Sequence, residues 1–220
     1  MSKFTFANSL EGFDNHISNS IRGYDFLWND ILKLSEYFVE DETNVVDIGC
    51  STGKFIKEMA VQNNFCTCNY IGIEKEKDFH EDLLSLEDHN IEFFLHDVRE
   101  FLFQNCSFIT SIFTLQFLPI KDRYQLFQSV YNGLNSGGAF VFAEKIFSNN
   151  PRVQEMMTFL HYEYKRKNFS TDQILDKEKE LRHMLKPNTE FEISQMCAKI
   201  GFDITPFWRN HNFVGFICIK

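Results

Sequence analysis

Apolar positions along the chain follow two rhythms, one suited to helices and one to strands. Residues 24–39 carry Phe26, Leu27, Ile31, Leu32, Leu34 and Phe38 at helical spacing. Asn44-Val45-Val46-Asp47-Ile48 is a short apolar run that stops at Gly49, the pattern of a buried strand entering a turn, and residues 53–59 then read as a helix. Strands are predicted next at 70–73, 91–95, 108–115 and 139–143, with helices at 77–88 and 123–134. Near-continuous apolar strands alternating with helices predict an α/β fold, a mostly parallel sheet covered on both faces.

After Asn150 the rhythm changes. Residues 153–167 and 171–185 are long, charged and helical with no strand between them, and 191–200 is a further helix. Residues 202–208 and 213–219 close the chain as two strands joined by Arg209-Asn210-His211-Asn212, an antiparallel terminal hairpin that brings the sheet to seven strands. Residues 13–21 form a short helix. The 220 residues read as one domain, with an N-terminal helical cover over 1–40 and a helical insertion or lid over 151–200.

Charge and cysteine content narrow the functional classes. Twenty-two basic against 31 acidic residues give a formal net charge of −9, which argues against a nucleic-acid-coating surface. Lys165-Arg166-Lys167 is the one basic run; it could hold an acidic substrate or tRNA, although a short run of this kind reads first as a solvated helix face. The six cysteines lie at 50, 66, 68, 106, 197 and 218 without a CxxC pair, so no metal site is expected. No apolar stretch approaches the ~20 residues of a membrane span, and no signal peptide is evident, so a reduced, cytoplasmic setting is expected. The 26 phenylalanines read as core filling.

Candidate chemistry starts at the first strand. In Val45-Val46-Asp47-Ile48-Gly49-Cys50-Ser51-Thr52-Gly53 a strand delivers an acid, and Gly49 and Gly53 then open a helix. Gly49 permits a sharp turn and close approach of a ligand, and Gly53 starts the helix beneath it. The spacing departs from the G-x-G-x-x-G pyrophosphate fingerprint, and the preceding acid suits a cofactor with a cationic end. The second strand ends in Glu74, whose carboxylate can accept both hydroxyls of a ribose, and the third leads to Asp97, which can accept from an adenine amino group. Three acids at successive strand ends face one crevice at the carboxyl edge of the sheet.

These residues resemble the S-adenosylmethionine site of class I methyltransferases. The likeness extends to Phe13-Asp14, Arg22-Gly23-Tyr24, Phe113-Thr114-Leu115-Gln116-Phe117-Leu118, Ala143-Glu144-Lys145, His161, Tyr164-Lys165-Arg166, Asn168, Trp208, Asn212-Phe213 and Gly215. Over nearly the whole chain this set resembles the carboxy-S-adenosyl-L-methionine synthase family, whose product feeds modification of the tRNA wobble uridine. The resemblance implies a Rossmann-like class I methyltransferase fold, a homodimer, and S-adenosylmethionine, its carboxylated form or S-adenosylhomocysteine as cofactor. It implies cofactor contacts from Tyr24, Asp47, Gly49, Cys50, Ser51, Gly53, Glu74, Lys75, Asp97, Val98, Ile112 and Phe113. Ile112 stands where the family has an Asn. Glu178 aligns with an Arg that grips the added carboxylate, and Arg182, one helical turn on, is the alternative cation.

Tyr24, Arg182, Glu144 and His161 are the candidate catalytic residues. Glu144-Lys145 at a strand end is a candidate acid or base, although a strand-end salt bridge is the more usual explanation. His161 on an aromatic helix face is a candidate for orienting substrate, although such a residue usually packs and hydrogen-bonds. Cys50 reads as a small loop residue rather than a nucleophile, and Trp28 and Trp208 read as core. The expected activity is S-adenosylmethionine-dependent transfer, first of a methyl group to a small-molecule acceptor. The alternative is carboxy-S-adenosyl-L-methionine synthesis from S-adenosylmethionine and a small acid such as prephenate. A silent cofactor-binding dimer is the non-enzymatic alternative. A cation near Glu178 and Arg182 separates the first two.

Overall fold

The computed structural model describes residues 12–220. Residues 1–11 of the expected N-terminal cover, and the side chains of Phe13 and Asp14, lie outside the described residues. The elements follow in the order α1 (Phe13–Ser20), α2 (Tyr24–Ser35), β1 (Asn44–Ile48), α3 (Lys54–Gln62), β2 (Asn69–Ile73), α4 (His80–Leu84), β3 (Ile91–Phe94), β4 (Cys106–Ile112), α5 (Ile120–Gly133), β5 (Leu134–Lys145), α6 (Pro151–Lys165), α7 (Thr171–Met184), α8 (Glu190–Ile200), β6 (Asp203–Asn210) and β7 (Phe213–Ile219).

One seven-stranded sheet runs in the order β3-β2-β1-β4-β5-β7-β6. All neighbours are parallel except β7, which pairs antiparallel with β5 and with β6. The chain lays β2 and β3 on one side of β1 and then crosses to place β4 on the other. That reversal opens a crevice at the carboxyl ends of β1 and β4, the usual ligand position in such sheets. Register places Asp47 beside Gly72 of β2 and Thr110 of β4.

Strand alternation sends successive residues to opposite faces. Val45, Phe108 and Val141 join Leu27 and Ile31 of α2 and Ile56 and Met59 of α3 in one apolar layer. Val46, Ile109, Phe140 and Phe142 join Leu126 and Phe127 of α5 and Ile193 and Cys197 of α8 in the other. Phe127 meets Phe140 and Phe142 edge-on at 5.3 and 5.2 Å, and Phe142 stacks on Phe216. Phenylalanine does fill the core here, each buried ring being worth roughly 1.5–3 kcal/mol.

Several boundaries move for local reasons. The helix expected over 77–88 reduces to a 3-10 turn, Lys77–Phe79, and the short α4, because in this charged segment only Phe79 and Leu83 are fully buried. β4 stops at Ile112 because Phe113 takes a left-handed φ of 57°, after which Leu115–Phe117 form a 3-10 turn. β5 is longer than expected. Side-chain caps set the helices of the last third: Asn150 with Pro151 at the start of α6, and capping boxes Ser170/Gln173 on α7 and Thr189/Glu192 on α8. α8 packs on α5 and β6 as one of the helices covering the sheet. Over the strand ends stand α1, α6 and α7.

Candidate active site

The turn after β1 is built from backbone. Gly49 has φ 76°, Ser51 φ 46° and Gly53 φ 72°, and the N–H groups of Gly49 and Cys50 both donate to the Ile73 carbonyl, at 2.8 and 3.0 Å. A Cβ on Gly49 would fall 2.2 Å from Thr114 Oγ1, so only glycine fits. The Ser51 N–H then donates to Glu74 Oε2 at 3.0 Å, and the Glu76 N–H donates to Oε1 at 2.8 Å. Glu74 is thus locked in place, and each oxygen keeps a second lone pair for a ligand hydroxyl. Burial raises its pKa, and those two backbone donors pull the other way.

Asp47 is more deeply set. Thr110 Oγ1 donates to its Oδ1 at 2.8 Å, and burial pushes its pKa up to about 7 against that bond, with the charge of Glu74 adding to the rise. Burial also drives the Cys50 thiol well above its ordinary value, with Asp47 and Glu74 adding to the shift, so it is no thiolate nucleophile. Asp97 is claimed by a cation: Arg99 Nε and Nη2 donate to its two oxygens at 2.9 and 2.8 Å, and Arg99 Nη1 reaches Asp122 at 2.6 Å. The guanidinium holds Asp97 down at about 2. An adenine amino group would share this carboxylate with Arg99.

A cavity of about 730 Å³ opens over these strand ends. From the β1 and β2 side it is lined by Asp47, Gly49, Cys50, Ser51, Glu74 and Lys75, and from the next loops by Asp97, Val98, Ile112 and Phe113. Tyr24 borders it, its ring 6.2 Å from that of Phe113, which meets Phe213 edge-on at 5.5 Å. The volume suits a nucleoside-sized ligand together with a small second molecule. The glycine cradle and the braced Glu74 fit an adenosine cofactor.

Residues 45–138 match the family described as "Methyltransferase domain". The carboxy-S-adenosyl-L-methionine synthase of Staphylococcus epidermidis is 37% identical over 213 residues, 94% of this chain and 92% of that protein. The chain belongs to the carboxy-S-adenosyl-L-methionine synthase family. The synthase of Shewanella sp. (strain ANA-3) is 32% identical over 228 residues, covering all of this chain and 94% of the relative. Among solved structures, Haemonchus contortus phosphoethanolamine N-methyltransferase 2 in complex with S-adenosyl-L-methionine superposes with a TM-score of 0.62 at 16% identity, over 100% of this chain and 60% of that one. The fold is that of the class I methyltransferases, and the chain is an S-adenosylmethionine-dependent transferase.

Within this family member the candidate catalytic residues separate. Tyr24 and His161 line the cavity; Glu144 and Arg182 do not. Glu144 lies behind the wall, facing Arg123 and accepting from the backbone N–H groups of Leu115 and Gln116, with burial pushing its pKa to about 8. It fastens the turn after β4 and does not border the cavity. Arg182 is exposed on α7, one turn past Glu178, which points inward instead. Gly53 shapes the turn as the left-handed cap of α3 without bordering the cavity. His161 is buried beside Phe213 at 5.1 Å, and burial, with Lys145 and Lys165 adding, depresses its pKa to about 3. It is neutral at pH 7.

Two lysines stand out more in the structure than in the sequence pattern. Lys145 at the end of β5 and Lys165 at the end of α6 both line the cavity, and Lys165 is only 5% exposed. A run of three basic residues suggests a solvated face, yet Lys165 turns inward. The overlooked signal was its spacing: Lys165 is four residues beyond His161, so both fall on one helix face. No helix among the described residues is long and apolar enough to cross a membrane.

Proposed function

We propose that the enzyme makes carboxy-S-adenosyl-L-methionine from S-adenosylmethionine and a small carboxylic acid such as prephenate. The observation that carries this reading is the division of charge in one cavity. Asp47, Glu74 and Asp97 border it at the strand ends, while Lys145 and Lys165 border it from β5 and α6. Acids suit adenosine and a cationic sulfonium; buried ammonium groups suit a carboxylate. When bound, S-adenosylmethionine supplies a methyl carbon activated by positive sulfur. The chain supplies the rest. Glu74 accepts from the ribose, the Gly49 turn makes room for the nucleoside, and the lysines hold the acid beside it. Phe113, Phe213 and the neutral His161 line the space with rings that exclude water.

The test is the mass of the nucleoside product after incubation with S-adenosylmethionine and prephenate together and singly. A product heavier by one carbon dioxide is expected only with both present. S-adenosylhomocysteine and a methylated acceptor would overturn the reading. Methyl transfer to a small acceptor is the second reading, and one feature favours it: Ile112 and Glu178 offer an apolar surface and an acid where a carboxylated nucleoside needs a donor and a cation.

The family likeness further supports a homodimer in the cytoplasm whose product serves tRNA wobble-uridine modification. Val153, Met156 and Leu160 form an apolar stripe on α6, 38%, 47% and 49% exposed, with Leu175 of α7 45% exposed. The expected result is a dimer by sedimentation at micromolar concentration, lost on replacing Met156 and Leu160 with Glu.

A further inference from the structure

α7 is lightly anchored along its own length. Ile174, near its start, is its one fully buried residue, yet Glu178, Leu181 and Met184 of its second half line the lysine end of the cavity. Glu178 meets Lys145 at 3.6 Å, and the remaining ties lie just past the end of the helix. There the Lys186 N–H donates to the Gln116 carbonyl at 2.9 Å, and the Phe147 N–H donates to the Asn188 carbonyl at 2.9 Å. Behind both stands Arg123, in the first turn of α5, 4% exposed and outside the cavity lining. Its Nη2 donates to the Lys186 carbonyl at 2.6 Å and its Nη1 to Asn188 Oδ1. The same guanidinium holds the turn after β4. Nη2 donates to the carbonyls of Leu118 at 2.9 Å and Gln116 at 3.2 Å, and Nε donates to Leu118 at 3.2 Å. Glu144 faces this cation from β5.

Gln116 carries the tie into the site. Its Nε2 donates to the Phe113 carbonyl at 3.1 Å, and its Oε1 accepts from the Lys145 N–H at 2.9 Å. One buried, forked cation thus joins the segment that braces the Lys145 backbone to the segment that ends α7. Charge-assisted bonds of this kind are strong, and only a guanidinium has donors pointing to both sides at once. Resting on the reading that this end of the cavity takes a small carboxylic acid, we propose that Arg123 is a positioning residue. It is the latch that seats the second half of α7 over the lysine end and so sets the fit of the acid co-substrate beside Lys145. The glycine turn and Glu74 lie outside this network, so nucleoside binding does not depend on it.

The experiment compares wild type, Arg123→Lys and Asn188→Ala by amide hydrogen exchange with S-adenosylhomocysteine bound, and by steady-state turnover of S-adenosylmethionine with prephenate. Arg123→Lys keeps a positive charge beside Glu144 but gathers its donors on one nitrogen, so it cannot hold both segments. Amides of residues 181–188 are expected to exchange about tenfold faster, while those of β1 and β2 keep the wild-type rate. The KM for prephenate should rise about tenfold with kcat changed less than about threefold, and S-adenosylhomocysteine affinity should stay within about twofold. Asn188→Ala removes one acceptor and leaves Arg123 with Glu144. It should move the same two readouts in the same direction by a smaller factor, and it carries the test if Arg123→Lys does not fold. Wild-type exchange at 181–188 in the variants overturns the latch. Faster exchange there with an unchanged KM, or faster exchange across the whole sheet, overturns the positioning role. A wild-type protein that forms no carboxylated nucleoside from prephenate sinks the acid co-substrate reading, and the exchange rates then still decide the latch.

Discussion

The two ends of the cavity are built on different principles. At the strand ends the geometry is backbone: three left-handed residues in five positions, and two N–H groups locked onto the carboxylate of Glu74. At the other end the geometry is side chains from β5, α6 and α7, brought from sequence positions 145, 165 and 178 by packing. A backbone cradle tolerates almost no change, whereas one substitution in the side-chain wall can alter its charge. This contrast suits an enzyme family that keeps one cofactor and varies what reacts with it.

The comparison breaks most sharply at Gly49. Gly49→Val should abolish S-adenosylmethionine binding, by more than about 100-fold, because the new side chain overlaps Thr114 and the backbone is left-handed. Calorimetry showing near-native affinity would mean that the turn is not the cradle. Glu74→Ala should cost roughly 2 kcal/mol, about 30-fold, through loss of charge-assisted bonds to the ribose, while acid binding at the lysine end stays unchanged. If both ligands weaken together, the two ends are not independent.

Next in size is a pH effect confined to the acidic end. Asp47 is held near 7 in the folded protein against an ordinary value near 4. Between those values the unfolded chain has released the proton and the folded chain has kept it. Stability therefore falls as pH rises from about 4 to about 7 and levels off above. A bound cation favours the ionised form, so S-adenosylmethionine should bind about tenfold more tightly at pH 8 than at pH 6. Asp47→Asn should flatten both slopes; a slope that persists would assign the proton elsewhere, with Glu74, also raised by burial, the first candidate. The smallest expected effect is at Arg182, which is exposed and outside the cavity: Arg182→Ala should change turnover less than about twofold, in contrast to Lys165→Met. A larger loss would put Arg182 back in the site.

The strand-end half was legible from residue order. Asp47, Gly49, Glu74 and Asp97 sit beside turns whose chemistry is local, and parallel strands align their carboxyl ends whatever the rest of the chain does. Even there one detail needed the structure: Asp97 is already paired with Arg99, two residues on, and no strand pattern shows that a neighbour has taken its oxygens. The helical half misled in both directions. Glu144 looked catalytic at a strand end, yet the alternation of β5 turns it away from the cavity toward Arg123, while Lys145, the next residue, faces in. Lys165 looked solvated within a basic run and proved buried.

The sequence by itself determined the α/β class, the glycine turn and the acids at the strand ends, because each depends on residues a few positions apart and on strand periodicity. The tertiary structure decided which charges meet: that Lys165 stands buried with no ion pair among the described residues, that Glu178 rather than Arg182 faces the cavity, and that Lys145 pairs with Glu178. Those outcomes depend on how α6 and α7 rotate against the sheet. That rotation is settled by packing over distances of tens to a hundred residues, which no local pattern encodes.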